Sequence, residues 1–187
     1  MKKYGSYFFI FTAFIIVLTG CNWKKNSQEN LHTKQEVTEG DFIYRLISEK
    51  GEYAENRPVK LYAELEYIGD KEKVEIFHAA SPFSFPMLEK TRGYEINYNM
   101  DVPLLSTTLV KSEPLRKEYS RSGGYGSEDE EDYVDFMNHI MNNEFPTGHY
   151  IVNGSANFFL VTNEETKEEK KYNMKAQIEF KVKDKKE

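Results

Sequence analysis

The sequence predicts an all-β domain, an antiparallel sandwich or barrel with one short α-helix inserted. Three observations carry this expectation. Segments of period-two alternation recur at short intervals with turn residues between them. Aromatic residues make up 14% of the chain, with 13 Phe and 13 Tyr, and rings of this kind favour strands. A single stretch shows the i, i+3, i+4 spacing of an amphipathic helix.

The N-terminus comes first. Lys2 and Lys3 precede an apolar run from Tyr7 to Leu18, broken only by Thr12. A helix of that length spans roughly 18 Å, short of the roughly 30 Å of a bilayer core. A basic start, a short apolar run and then small residues describe a secretory signal peptide over 1–20. The run ends in Leu18-Thr19-Gly20-Cys21, which resembles the lipobox of bacterial (Gram-positive) lipoproteins. That resemblance implies that the Cys21 thiol is alkylated with diacylglycerol and that the peptide is cut just before it. The covalent lipid is the only added group this reading calls for; no other cofactor is expected. Two acyl chains give a stable membrane anchor where one is marginal. The alternative is an ordinary signal peptide with an incidental cysteine. Residues 21–40 are polar and aperiodic and read as a flexible lipidated tether, leaving 41–187 as one domain.

Strands follow in order. Phe42, Tyr44 and Leu46 alternate with Ile43, Arg45 and Ile47, so both faces of this strand should be partly covered. Val59 to Tyr67 is half-buried, with Leu61, Ala63, Leu65 and Tyr67 inward and charged residues outward. After the turn 68–72, Lys73 to Ala79 forms its hairpin partner. Shorter strands are expected over 83–88, 94–98, 104–110 and 115–120. The last pair is the cleanest. His149 to Val161 presents Tyr150, Val152, Ala156, Phe158 and Leu160 on one face, and Tyr172 to Val182 alternates without interruption. The helix is predicted around Tyr133, Phe136, Met137, Ile140 and Met141, with Ser127 and Glu130 as a capping box and Pro146 as its end.

Gly148-His149-Tyr150, placed after Pro146 at the start of the penultimate strand, is similar to the tyrosine corner of immunoglobulin-like folds. The phrase "GEYAENRPVKLYAELEYIGD" likewise resembles the second strand of such domains. Over about 42–182 the pattern resembles the immunoglobulin-like domains of Gram-positive lipoproteins and, more distantly, the intracellular proteinase inhibitor family. What the resemblance implies is an immunoglobulin-like antiparallel β-sandwich and an inhibitory activity.

Composition narrows function. The chain has a net charge of −6; loss of Lys2 and Lys3 would leave 23 basic against 31 acidic residues, or −8. An acidic surface argues against nucleic acid as a partner and against flat adsorption on anionic lipid. The acids of 127–132 are consecutive and lack the alternating oxygens and glycine of a calcium loop, so helix capping is favoured over a metal role. The glycine-rich stretch 120–127 lacks the Lys of a phosphate loop and reads as a connector; Tyr119, Arg121 and Tyr125 stay as weak contact candidates. His32, His78, His139 and His149 show no zinc spacing, and no G-x-S-x-G elbow occurs. No metal site and no catalytic residues are expected. Phe83 and Phe85, framed by Pro82 and Pro86, are either core rings or an exposed aromatic edge that docks a partner. The expected function is a non-enzymatic lipoprotein on the extracytoplasmic face of the cell membrane, an interaction module for an extracytoplasmic protein. The alternatives are a protease inhibitor or regulator and a glycan- or solute-binding lipoprotein.

Overall fold

The structure, a computed structural model, describes residues 31–121, 123–163 and 165–184. The expected signal peptide, Cys21 and the first half of the expected tether lie outside the described residues. Two sheets face each other in a sandwich. The smaller has the order β1 (Lys34–Glu39), β2 (Phe42–Ser48), β4 (Leu61–Tyr67), β10 (Leu115–Glu118). The larger has the order β3 (Glu52–Ala54), β12 (Glu168–Lys183), β11 (Gly148–Asn163), β5 (Lys73–His78), β9 (Leu105–Val110). Three short strands complete it. β6 (Phe83–Ser84) and β7 (Met87–Glu89) pair with β11, and β8 (Tyr94–Ile96) pairs with β7. The pairings are antiparallel except β3 with β12.

β11 and β12 form a ribbon from Gly148↔Val182 to Asn163↔Glu168, with one register shift near its tip. Their inward residues are those the alternation predicted. Tyr150, Val152, Ala156 and Phe158 are buried on β11, and Tyr172, Met174, Ala176, Ile178, Phe180 and Val182 on β12. The rings interlock: Tyr150 stacks on Phe180 at 5.0 Å, Phe158 stacks on Tyr172 at 4.8 Å, and Phe42 of the small sheet meets both of the latter edge-on. Between those ring pairs the sheets press together at Gly154. A Cβ there would lie 2.7 Å from the Tyr44 hydroxyl oxygen and 2.8 Å from a Leu46 methyl. Any larger residue at 154 pushes the sheets apart.

The prolines explain how β6 and β7 join the ladder. Pro82 and Pro86 flank the two strands and offer only carbonyls, which accept hydrogen bonds from the N–H groups of Asn157 (2.7 Å) and Asn153 (2.8 Å). A missing N–H therefore costs nothing at these places. Phe83 and Phe85 share a face, as the alternation predicted, and that face is the core: both are fully buried. Phe83 lies parallel to Tyr44, and Phe85 meets Tyr98 and Tyr119 edge-on. The docking role considered for these two rings is corrected accordingly.

The corner forms. The Tyr150 hydroxyl donates to the Pro146 carbonyl at 2.7 Å. Other expectations are corrected. The domain begins before residue 41, since β1 lies inside the stretch read as tether and pairs with β2 from Phe42 to Ile47. Only Val37 of β1 is even half-buried, so no hydrophobic alternation marked it. The helix α1 (Glu131–Met141) starts later than a Ser127 cap requires, with Glu130 at its N-cap and no side-chain cap bond. Glu131 and Asp132 in its first turn still favour the positive end of the helix dipole. Its end is set before Pro146. Asn143 takes φ +60°, its N–H donates to Ile140 O (2.9 Å), and Glu144 N–H donates to His139 O (2.9 Å). This is a Schellman stop with Asn in the left-handed position.

Two buried tyrosine hydroxyls allow a paired test. That of Tyr150 has a partner, and that of Tyr44 has none among the described residues. Tyr150→Phe is expected to lower stability by about 1–3 kcal/mol in denaturant titration, because the Pro146 carbonyl loses its donor. Tyr44→Phe removes a buried hydroxyl with no protein partner, and its melting temperature is expected to equal or exceed wild type.

Candidate functional site

Two places concentrate unusual side chains, one polar and one apolar. The polar one is Glu89, at the end of β7, whose side chain is fully buried. Its Oε1 accepts from the backbone N–H groups of Thr91 (2.8 Å) and His149 (3.1 Å). Its Oε2 accepts from the backbone N–H of Arg92 (2.8 Å) and from the Arg92 guanidinium (3.2 Å). Burial alone would raise the carboxyl pKa, but the bonds from Thr91, Arg92 and His149 outweigh it and hold the group below the ordinary 4.5. Gly148 is required beside it: a Cβ there would sit 2.5 Å from Oε1. Arg92 continues the network to the Thr147 carbonyl at 2.8 Å, and its guanidinium lies 5.6 Å from the centre of the Phe136 ring. The carboxylate thus ties the β7–β8 turn, the start of β11 and helix α1 together. All its acceptor positions are spoken for, which makes it a structural clasp.

The apolar place is a groove of about 560 Å³ on the outer face of the large sheet. Its floor comes from outward positions of three adjacent strands. Phe77 of β5 is opposite Phe159 of β11, which is opposite Lys171 of β12. The two phenyl rings stack at 5.3 Å. One step along, Asn157 pairs across the ribbon with Asn173, adding amides to the floor. The wall is the connection from β8 to β9, with Met100, Val102, Pro103 and Leu104. Val102 is 86% exposed and Leu104 70%, unusual for such residues. The volume lies within the range of sites that hold small ligands or a few side chains.

His78, at the groove's edge, does not present a free nitrogen. A carbonyl only accepts, so Nδ1–H donates to Ala79 O (2.7 Å), and in the neutral ring Nε2 accepts from the Thr107 hydroxyl (2.8 Å). The groove therefore offers apolar area and amide hydrogen bonding. His149 does not meet His78: it stands nine positions along β11 from Phe158, the residue facing His78, which is roughly 30 Å of strand. It bonds Glu179 at 2.8 Å instead. Among the described residues, no group of three or more His, Cys, Asp or Glu is placed to hold a metal ion, and no helix is long and apolar enough to cross a membrane.

The remaining sequence-derived candidates fall apart in space. Tyr119 is half-buried in a ring cluster with Phe85, Tyr98 and Phe145. Arg121 and Tyr125 are exposed, away from the groove's lining. Cys21 lies outside the described residues. Sequence reasoning missed the groove, although two signals were present. Phe159 is a large ring at an outward position of an alternating strand, and Val102 to Leu104 is an apolar run in the connection before β9. Comparison with known proteins gives no matching family model, no matching curated protein and no matching solved structure.

Glu89 generates a pH prediction. Its folded pKa is depressed, so its contribution is complete above the unfolded value of 4.5 and is lost as pH falls through the folded one. Wild-type stability should therefore decline below about pH 4.5, while Glu89→Gln, with nothing to protonate, should start about 3 kcal/mol lower at pH 7 and fall less in acid. Urea titrations at pH 7 and pH 3 read both effects.

Proposed function

We propose that this protein is a non-enzymatic, lipid-anchored binding module of the extracytoplasmic face of a Gram-positive cell membrane. Diacylglycerol on Cys21 holds it at the membrane, and the folded domain binds an extracytoplasmic protein through the outer groove. The observation that carries the binding half is the groove itself: stacked Phe77 and Phe159 under a wall whose Val102 and Leu104 stand in water. Exposed apolar area of this kind is costly to keep unless something covers it. The acidic chain fits a protein partner better than nucleic acid.

A second reading has one observation in its favour. A concave site lined by rings and by the amides of Asn157 and Asn173 also suits a sugar or another small solute, which rings stack on and amides hydrogen-bond. The protease-inhibitor reading rests on the resemblance alone. Near the end of the glycine-rich connector 120–127, the Gly126 N–H donates to Asp129 Oδ2 at 2.7 Å.

Two experiments test the two halves separately. Metabolic labelling with a fatty acid should mark the wild-type chain and leave Cys21→Ala unmarked; equal labelling of both contradicts the anchor. A photoreactive residue at Val102 should trap the partner in intact cells, and Phe159→Ser should reduce the trapped product about tenfold, a loss of about 1.4 kcal/mol. An unchanged yield with Phe159→Ser contradicts the groove, and a trapped glycan instead of a polypeptide selects the second reading.

A further inference from the structure

The groove does not end at Phe77. The same ring borders a second depression of about 490 Å³, which lies between β5 and β11. These strands are neighbours in the large sheet, yet they pair at one position, Phe77↔Phe159. The hydrogen-bond phase of each strand is fixed. The Lys111 N–H donates to Glu72 O (2.9 Å), so the even-numbered residues of β5 bond to β9, while Lys73, Glu75 and Phe77 direct their N–H and C=O at β11. Asn153 and Asn157 N–H donate to the carbonyls of Pro86 and Pro82, away from β12, so Val161, which lies in the same phase of β11, directs its groups at β5. Next to the Phe77–Phe159 pair, Glu75 and Val161 thus face each other across the depression without pairing. The sheet is split there.

The split has an apolar bottom and a basic mouth. Val74 and Leu160 pack against the core from its two sides, and both are left half-buried. Lys73 of β5, Lys71 of the turn before it and Lys167 of the turn after β11 line the mouth. All three are exposed. Among the described residues none of them forms an ion pair, whereas Lys60, Lys171 and Lys183 each do. Glu75 is the acid of the described lining; Asp70, Glu72 and Glu165 belong to the neighbouring turns but not to the lining.

We infer that the protein partner is held as an extended, acidic segment, with its main chain bonded in the mouth of the split and an apolar anchor in the groove. This rests on the proposal that the groove binds a protein. Two observations select the occupant. Unpaired N–H and C=O groups on two facing strands are met by another polypeptide backbone, which a lipid tail does not supply. Three ammonium groups brought together from separate segments favour carboxylates. The two demands agree in one pattern, because side chains of an extended chain alternate between faces. A residue directed inward packs on Val74 and Leu160, and its neighbours, directed outward, meet Lys71, Lys73 and Lys167. Past the split the segment crosses the outer face of Phe77 and Phe159, where an apolar side chain settles against the wall at Val102. Main-chain bonds give affinity, and the alternation of apolar with acidic residues gives choice.

The test uses the full chain in non-ionic detergent and fluorescent hexapeptide probes. Alternating Val-Glu should bind and alternating Val-Lys should not, and N-methylation of the Val-Glu backbone should weaken it about tenfold. Lys73→Glu should raise the Val-Glu dissociation constant about tenfold. So should Val161→Pro, which removes an N–H aimed at the split and none that bonds to β12, with circular dichroism confirming the fold. No Val-Glu binding, equal binding of both charges, indifference to N-methylation, or an unchanged constant in either variant overturns the inference. In intact cells a photoreactive residue in place of Lys167 should trap the same polypeptide as one at Val102; a trapped lipid, glycan or second copy of this chain overturns it. Trapping at Val102 also separates this inference from the groove on which it rests. Loss of product with Phe159→Ser but not with Lys73→Glu overturns the split and leaves the groove standing, and no loss with either overturns both.

Discussion

The antiparallel ribbon of β11 and β12 is the frame to which every other element is fitted. Each strand has 16 residues, roughly 50 Å of extended chain. Elsewhere the strands are seven residues or shorter and would be marginal as isolated hairpins. The ribbon gives them a template. One side of β11 is tiled by β7, β6 and β5 in turn, and the far side of β12 takes β3. Because inward and outward residues alternate strictly, the same two strands supply the core on one face and the groove floor on the other.

The ends of the ribbon's pairing show how polar groups are made to serve this frame. At the start of β11, the chain arrives from α1 through a Schellman stop, the Pro146 carbonyl meets the Tyr150 hydroxyl, and the Glu89 carboxylate gathers backbone N–H groups from two segments. These bonds are partly buried, where an unmet donor or acceptor costs more than a made bond gains. They fix where β11 begins, and so its register against β12. Toward the other end, where β5 replaces β6 beside β11, Phe77 reaches Phe159 and the loop 97–104 folds over the outer face. The groove is a consequence of that change of partner.

How far the sequence disclosed this depends on the physics of each part. β2, β4, β11 and β12 were legible because a half-buried strand writes its burial as alternation. β1 was not, because its side chains are polar. What orders it is pairing with β2 and the reach of Arg45 to Glu36 and Glu66, each at 2.6 Å. Phe83 and Phe85 were placed on one face correctly, but periodicity does not say which face is the interior. The local signal Ser127-x-x-Glu130 was overruled, since burial of Phe136, Met137 and Ile140 sets where the helix is held. The groove was the least legible part. Its residues come from three strands and a loop, brought together only by pairing register. The resemblance of Leu18 to Cys21 to a lipobox is the reverse case: it is read from a purely local pattern and lies outside the described residues.

If the ribbon is the stable frame and the groove is built on its outer surface, native-state hydrogen exchange will separate the two. Amides that bond within the ribbon, from Tyr150 to Phe158 and from Tyr172 to Phe180, should exchange only through global unfolding, while those of the loop 97–104 open locally at much lower free energy. Ribbon amides that instead exchange faster than those of β2 and β4 would make the small sheet the frame and contradict this order of dependence.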